Sequence, residues 1–175
     1  MSKIGIFGSA FNPPTNAHKM LVDESLKYFD KVILLPSYSH PNKNNLVEYN
    51  LRVEMLNALF DDNRVEISTI EKEIYSKKND TVYTIDLIEY LDRYHSNLNY
   101  YLIFGSDNKD LIGFNRRNYI INNTRLYFLD EVKGIRSSKI RKNLKSKKSI
   151  SGLTSDSVIN IIKKYKLYGD LNENK

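Results

Sequence analysis

The sequence contains no cysteine, and it has no apolar run long enough to cross a membrane. The missing cysteine excludes a disulfide framework and any metal site made of thiolates. The first apolar run is interrupted by Gly8 and Ser9 and has no basic leader, so it differs from a secretory signal peptide. We therefore expect a soluble, cytoplasmic protein without a membrane partner.

Acidic residues are missing from one segment, and this concentrates the positive charge of the chain. The whole chain has a formal net charge of +6. Residues 133–148 contain eight Lys or Arg and no Asp or Glu, so the rest of the chain carries −2. Such a segment suits a solvated helix face, a nucleic-acid surface or a site for a small polyanion. Nucleic-acid surfaces often interleave aromatic residues with cations, and this segment has none, so a nucleic-acid partner is disfavoured.

Apolar runs typical of buried strands alternate with helical patterns along the 175 residues. The predicted strands are Lys3–Phe7, Lys31–Leu35, Arg64–Ile67, Tyr100–Phe104 and Leu126–Leu129. The predicted helices are Ala17–Tyr28, Tyr49–Phe60, Tyr83–Tyr94, Asn108–Tyr119, one that begins near Ser138, and Ser155–Tyr165. This alternation predicts an α/β fold with a parallel, doubly wound, Rossmann-like sheet and C-terminal helices. We expect a single domain over residues 1–170, followed by a polar tail at 171–175.

The segment 8–18, Gly-Ser-Ala-Phe-Asn-Pro-Pro-Thr-Asn-Ala-His, joins the first predicted strand to the first predicted helix. Unpaired backbone N–H groups and the positive end of the helix dipole favour a phosphate at such a junction. Thr15 and His18 stand at the start of the helix, where they could face that anion. A purely structural interpretation is also open, in which Thr15 caps the helix and His18 packs against a strand.

This segment resembles the signature of the nucleotidyltransferase superfamily, and within it of the nicotinate/nicotinamide mononucleotide adenylyltransferases. The family usually has a glycine where this chain has Ala17. A second segment, Ile-Arg-Ser-Ser-Lys-Ile-Arg at 135–141, resembles the family motif Ile-Ser-Ser-Thr-x-(Ile/Val)-Arg, with Arg136 in place of the first serine. Two hydroxyls at a helix start, flanked by cations, suit a triphosphate.

The resemblance implies a Rossmann-like nucleotidyltransferase fold and transfer of the adenylyl group of ATP to nicotinate or nicotinamide mononucleotide. The products are the dinucleotide of NAD biosynthesis and pyrophosphate, Mg²⁺ accompanies ATP, and no metal ligand from the protein is expected. The implied catalytic residues are His18, Thr15 and Arg141. The implied ATP contacts are Gly8, Ser9, Phe11, His18, Gly105, Asp107, Arg136, Ser137, Ser138 and Arg141. The implied mononucleotide contacts are Ala10, Phe11, Asn12, Lys43, Thr84 and Phe114.

Three of these residues belong to further segments that resemble the family. Lys43 ends the loop 36–43, where a flexible ammonium would hold the attacking phosphate. Thr84 lies in Thr-Val-Tyr-Thr-Ile-Asp-Leu, which resembles the family pattern Ser-Tyr-Thr-x-x-Thr-Leu, and it would contact the pyridine carboxamide or carboxylate. Asp107 follows a Gly-Ser pair, and it would bind ribose hydroxyls or orient the magnesium-bound phosphates.

Two departures from the family leave the acceptor open between nicotinate and nicotinamide mononucleotide. The chain has no tryptophan, whereas many relatives stack one on the pyridine ring, and Phe114 or Tyr119 would have to replace it. Ala10 stands where several relatives have a hydroxyl residue. The alternatives are phosphopantetheine adenylyltransferase, a more distant cytidylyltransferase, and a non-catalytic nucleotide- or RNA-binding protein. A homo-oligomer is compatible with the sequence but not required by it.

Overall fold

A computed structural model describes residues 2–39, 46–95, 97, 99–106, 116–130 and 132–169 of the chain. The strands are β1 (Lys3–Ser9), β2 (Lys31–Pro36), β3 (Val65–Ile67), β4 (Asn99–Gly105) and β5 (Leu126–Leu129). The helices are α1 (Asn16–Ser25), α2 (Tyr49–Leu59), α3 (Ile70–Lys78), α4 (Thr84–Tyr94), α5 (Arg117–Asn123), α6 (Ser137–Lys145) and α7 (Asp156–Lys164). Within the described residues, every helix falls short of the length and apolarity that a membrane crossing requires.

The five strands form one parallel sheet in the order β3-β2-β1-β4-β5, which confirms the predicted parallel architecture. The chain fills one side of β1 with β2 and β3, and it then crosses to the other side for β4 and β5. In an open parallel sheet, ligands bind beyond the carboxyl ends of the strands where the order reverses. The ends of β1 and β4 therefore frame the expected binding site.

β1 is buried on both faces because its side chains alternate between two apolar clusters. Ile4 and Ile6 pack in one cluster with residues of α4 such as Ile88. Phe7 packs in the other with Val22 of α1. The continuous apolar run of β1 thus reflects a strand covered by helices on both sides.

A third apolar cluster attaches the C-terminal helices to α2. Its buried members are Met55, Leu59, Ile140, Ile150, Val158, Ile162 and Tyr168. This packing brings residues near the end of the chain to the turn that follows β1.

The strand predictions are confirmed, whereas two helix predictions need correction. α3 was not predicted because its sequence is mostly charged and Ile74 is its one buried residue. Residues 108–115 of the predicted helix 108–119 lie outside the described residues, and its C-terminal bound is corrected, since α5 begins at Arg117, after Arg116 in a left-handed conformation with φ of 52°, and continues to Asn123. Residues 107–115 and 170–175, the latter including the predicted tail, lie outside the described residues.

Candidate active site

Thr15 and His18 cap the first turn of α1 reciprocally. The Thr15 Oγ1 atom accepts a hydrogen bond from the His18 backbone N–H at 3.3 Å. The His18 Nδ1 atom accepts one from the Thr15 backbone N–H at 3.0 Å, and it also lies 2.9 Å from Thr15 Oγ1. The predicted helix cap is therefore confirmed, and the histidine is itself half of that cap.

This capping arrangement fixes where a neutral His18 ring carries its hydrogen. A backbone N–H can only donate, so Nδ1 must be the acceptor in this contact. The ring hydrogen of the neutral form consequently lies on Nε2. His18 is thereby prepared to donate a hydrogen bond from Nε2.

Phe11 supports the His18 ring and does not line the cleft. Its ring centroid lies 4.9 Å from that of His18, and only 1% of the residue is exposed. The predicted contacts of Phe11 with both nucleotides stay predictions.

A cleft of about 430 Å³ opens at the carboxyl ends of β1 and β4 and at the start of α6. It brings together nine of the predicted site residues, namely Gly8, Ser9, Thr15, His18, Gly105, Arg136, Ser137, Ser138 and Arg141. The remaining lining residues are Phe7, Ala17, Leu21, Ile103, Phe104, Val132 and Ile135. Two arginines and no carboxylate line it among the described residues, so the cleft favours an anion.

The N-terminus of α6 points to the same conclusion. Arg136 occupies the N-cap position, and no side chain caps the helix there. The first N–H groups of a helix need acceptors from outside the helix, and its dipole favours negative charge. Together with Arg141, this helix start can receive the oxygens of a phosphate chain.

Two of the predicted triphosphate ligands also hold the turn after β1. Arg141 Nη1 donates to the carbonyl of Asn12 at 2.6 Å, and Ser137 Oγ donates to the carbonyl of Pro13 at 2.7 Å. A guanidinium has five N–H donors, so this bond is compatible with a ligand contact by Arg141. The Ser137 hydroxyl hydrogen, in contrast, is already used to fix the turn.

None of the described residues predicted for the mononucleotide lines this cleft. Ala10 and Asn12 are buried, and Thr84 is the first residue of α4, away from the cleft lining. Lys43, Phe114 and the predicted ATP contact Asp107 lie outside the described residues.

Arg52 is a residue whose role the sequence analysis did not identify. It is 1% exposed, and its Nη1 donates to the carbonyls of Ala10 and Ser37 at 2.8 and 2.7 Å. Its Nε donates to the carbonyl of Val47 at 2.8 Å. Arg52 thus joins the segments that follow β1 and β2. The available signal was an arginine at a core position of the otherwise apolar face of α2.

Glu71 was missed because α3 itself was missed. Its Oε2 accepts a hydrogen bond from the backbone N–H of Tyr38 at 3.0 Å, just after β2. Burial raises the pKa of the Glu71 carboxyl to about 7, although the Tyr38 N–H and the nearby Arg52 oppose that rise. Burial likewise raises the pKa of Tyr49, whose hydroxyl also interacts with Glu71, to about 12.

Metal binding by the protein alone has no visible basis in the described part of the chain. No group of three or more His, Asp or Glu side chains is found there with the spacing that could hold a metal ion. The cleft is instead organised around hydroxyls, a histidine and arginines.

Known proteins resemble this chain along nearly all of its length. The cytidylyltransferase-like family model matches residues 6–143. A Clostridium tetani protein named "Probable nicotinate-nucleotide adenylyltransferase" is 30% identical over 203 aligned residues, which cover 96% of this chain and all of the relative. A solved structure assigned as a nicotinate-nucleotide adenylyltransferase from Vibrio parahaemolyticus superposes with a TM-score of 0.79, at 30% identity and 96% coverage of both chains.

A more distant structure shares the fold. The nicotinic acid mononucleotide adenylyltransferase of Plasmodium falciparum, solved in complex with NaAD, gives a TM-score of 0.79 at 21% identity, over 96% of this chain and 98% of that one. The sheet order, the cleft and these similarities agree with one another. The chain belongs to the cytidylyltransferase-like family and, within it, to the nicotinate-nucleotide adenylyltransferases.

Proposed function

We propose that the protein transfers the adenylyl group of ATP to nicotinate mononucleotide, releasing pyrophosphate and forming the deamido dinucleotide of NAD biosynthesis. The observation that carries this proposal is the cleft itself, where the His18 ring and the uncapped start of α6 with its arginines face one space. The names of the relatives favour nicotinate over nicotinamide as the acceptor base. The cytoplasmic location stays a prediction.

The proposed reaction is an in-line displacement at the α-phosphorus of ATP. An oxygen of the mononucleotide phosphate forms the new P–O bond, and the bond from the α-phosphorus to the bridging oxygen of the β-phosphate breaks. Pyrophosphate leaves with that electron pair. The attacking phosphate is already ionised near neutral pH, so neither a general base nor a covalent enzyme intermediate is required. Catalysis then depends on positioning and on neutralising charge.

His18 is the proposed donor to the transferring phosphate. Its Nδ1 is held by the Thr15 backbone N–H, which directs the Nε2 hydrogen to the remaining side of the ring. A donor fixed in this way needs no reorganisation as charge develops on the phosphate oxygens. Thr15 thus acts through the orientation of His18.

Arg141, Arg136 and Ser138 are the proposed ligands of the β- and γ-phosphates. The dipole of α6 adds to their charge at the place where pyrophosphate leaves. Magnesium arrives with ATP as part of the substrate, and it neutralises phosphate charge while retaining water ligands. Gly8 and Gly105 leave room for the adenosine part of the nucleotide beside the ends of β1 and β4.

Pyrophosphate release tests this function directly. The protein would be given ATP and Mg²⁺ with nicotinate mononucleotide, nicotinamide mononucleotide or phosphopantetheine in separate reactions. We expect turnover with nicotinate mononucleotide and a lower kcat/KM with the nicotinamide form. Activity with phosphopantetheine alone would move the protein to the alternative enzyme. No pyrophosphate release with any of the three acceptors would contradict the proposed function.

A further inference from the structure

The turn after β1 is bonded to a C-terminal segment that lies beyond the family-model match, which ends at residue 143. We call residues 149–168 the C-terminal clamp. The Asn16 backbone N–H donates to the carbonyl of Leu153 at 2.9 Å, and its side-chain amide donates to the carbonyl of Gly152 at 3.0 Å. Thr154 Oγ1 donates to the carbonyl of Pro14 at 3.0 Å. The phosphate-binding turn is therefore supported from outside the matched region.

Tyr168 makes the deepest contact of the clamp. Its hydroxyl donates to Asn12 Oδ1 at 2.8 Å, and the residue is 5% exposed. Its ring packs in the third apolar cluster with residues of α2 and α7. Burial raises the pKa of the Tyr168 hydroxyl above its ordinary value, against the opposing influence of Arg52 and Arg141. The hydroxyl consequently remains a hydrogen-bond donor at neutral pH.

Asn12 connects Tyr168 to the cleft through its side-chain oxygen, its backbone carbonyl and the preceding residue, Phe11. Its Oδ1 accepts from Tyr168 and also from the Val47 backbone N–H at 3.2 Å. Its carbonyl accepts the bond from Arg141 at 2.6 Å. The preceding residue, Phe11, packs against the His18 ring. A displacement of Asn12 would therefore move both Arg141 and the support beneath His18.

We propose that Tyr168 is a positioning residue for adenylyl transfer. Its hydroxyl fixes Asn12 and, through Asn12, the guanidinium of Arg141 and the ring of His18. Tyr168 does not line the cleft, so its action on the reaction is indirect. This inference rests on the proposed function for its kinetic consequence, but its geometric consequence at His18 can be measured without turnover.

Tyr168→Phe tests the hydroxyl while keeping the ring in the core. Tyr100→Phe is the matched control, because the Tyr100 hydroxyl donates to Asp92 Oδ1 at 3.0 Å near the opposite end of β4. Each variant loses one hydrogen bond, so both should lower Tm by about 2–4 °C. We expect Tyr168→Phe alone to lower kcat, by about tenfold, which is about 1.4 kcal/mol of barrier.

Nitrogen NMR of the histidine rings supplies a second readout that needs no substrate. The chain has three histidines, so the His18 signal can be assigned with a His18→Gln variant. We expect the Nε2–H tautomer in the wild type and in Tyr100→Phe. In Tyr168→Phe, the loosened turn should give a mixture of tautomers. Thr154→Val, which removes the bond to Pro14, should change the spectrum in the same direction but less.

The proposal is overturned if Tyr168→Phe matches Tyr100→Phe in both kcat and the His18 spectrum, since the hydroxyl would then serve stability only. A loss of kcat with an unchanged His18 spectrum would overturn the proposed action on His18 and support the route from Asn12 to Arg141. If the wild type shows no turnover with any acceptor, the proposed function fails. The tautomer comparison would still decide whether Tyr168 positions the histidine.

Discussion

On the proposed triphosphate side of the cleft, distant parts of the chain meet and are bonded together, whereas the described residues predicted for the acceptor, such as Thr84, do not line the cleft. The triphosphate side comprises Gly8, His18 and the α6 residues Ser138 and Arg141, with Arg136 at the helix cap. The acceptor side comprises the region near Thr84 and the segment after β2 that Glu71 holds at Tyr38. The proposed triphosphate side is distinguished by its positive charge and by the helix start that faces it.

This difference follows from what each ligand part demands of the protein. A phosphate chain is bound by any convergence of N–H donors and cations, and a strand end facing a helix start supplies both. A pyridine ring is selected by shape and by a few hydrogen bonds. The proposed triphosphate side therefore depends mainly on the fold, whereas the acceptor side depends on individual side chains. Four substitutions sharpen or break this comparison.

His18→Ala should have the largest effect, because it removes the oriented donor shared by both ligand parts. We expect kcat to fall by at least about 1000-fold, or about 4 kcal/mol of barrier. His95→Ala is the control, since His95 caps the C-terminus of α4 and does not line the cleft. Retention of more than about a tenth of the wild-type activity would exclude His18 as a principal catalytic group.

Gly8→Val should come next and should affect the triphosphate side alone. The nearest atom to a Cβ at Gly8 would be the carbonyl oxygen of Leu35 at 3.9 Å, so the fold accepts a Cβ there. Gly8 lines the cleft, so we expect a valine side chain to take up space needed by the nucleotide. We expect kcat/KM for ATP to fall about 100-fold, or about 2.7 kcal/mol, with Tm unchanged.

Gly5→Ala is the matched control for this prediction. A Cβ at Gly5 would lie 2.5 Å from Ile103 Cδ1, inside the packed sheet. That variant should lose stability and keep kcat/KM per folded molecule. Equal Tm losses in both variants would show that Gly8 serves packing and not ligand access.

Glu71→Gln probes the acceptor side through the pH dependence of stability. Glu71 in the unfolded chain loses its proton near its ordinary value of 4.5, and in the folded protein near 7. The folded state binds more protons between these values, so this carboxyl lowers wild-type stability as pH rises through that window. We expect the gain of Glu71→Gln over the wild type to grow by about 3 kcal/mol from pH 4.5 to 8.

Denaturant unfolding at several pH values would measure this gain. Glu73→Gln is the matched control, because Glu73 is an exposed carboxylate on the same helix. A gain in stability that does not change with pH, or that is equal in the two variants, would contradict the raised pKa of Glu71.

Thr84→Val should have the smallest effect and should separate the two sides most directly. The loss of one neutral hydrogen bond, about 1 kcal/mol, should raise KM for the mononucleotide about fivefold and leave KM for ATP unchanged. Thr81→Val, three positions earlier and also partly buried, is the control. An effect of Thr84→Val on KM for ATP instead would place α4 on the triphosphate side.

Local patterns were enough to predict the strands, the position of Thr15 and His18 at the start of α1, and the start of α6. Each of these depends on a run of neighbouring residues whose period or capping chemistry is visible in the sequence. The parallel, doubly wound sheet was also predicted, because the strands alternate with helices. For the same reason, the predicted ATP residues on β1, β4 and α6 are found together in one cleft.

The remaining features depend on contacts between residues far apart in the chain. Arg52 stands at a core position of α2, but only the fold shows that it joins the segments after β1 and β2. Phe11 lies inside the motif, but its burial behind His18 depends on Phe7 and the sheet. The support that Tyr168 gives to Asn12 has no local signature at all. Tertiary packing decides these roles, and sequence patterns of short range do not report it.

The bond between Tyr168 and Asn12 has a consequence for the order in which the protein matures. It joins residues 156 positions apart, so the turn after β1 leaves the ribosome long before its partner has been synthesised. Contacts of such long range form late, because a large loop must close before they can be made. A nascent chain can thus contain the turn after β1 before the bond that supports it has formed. The turn after β1 thus acquires its final geometry only after residue 168 has been synthesised.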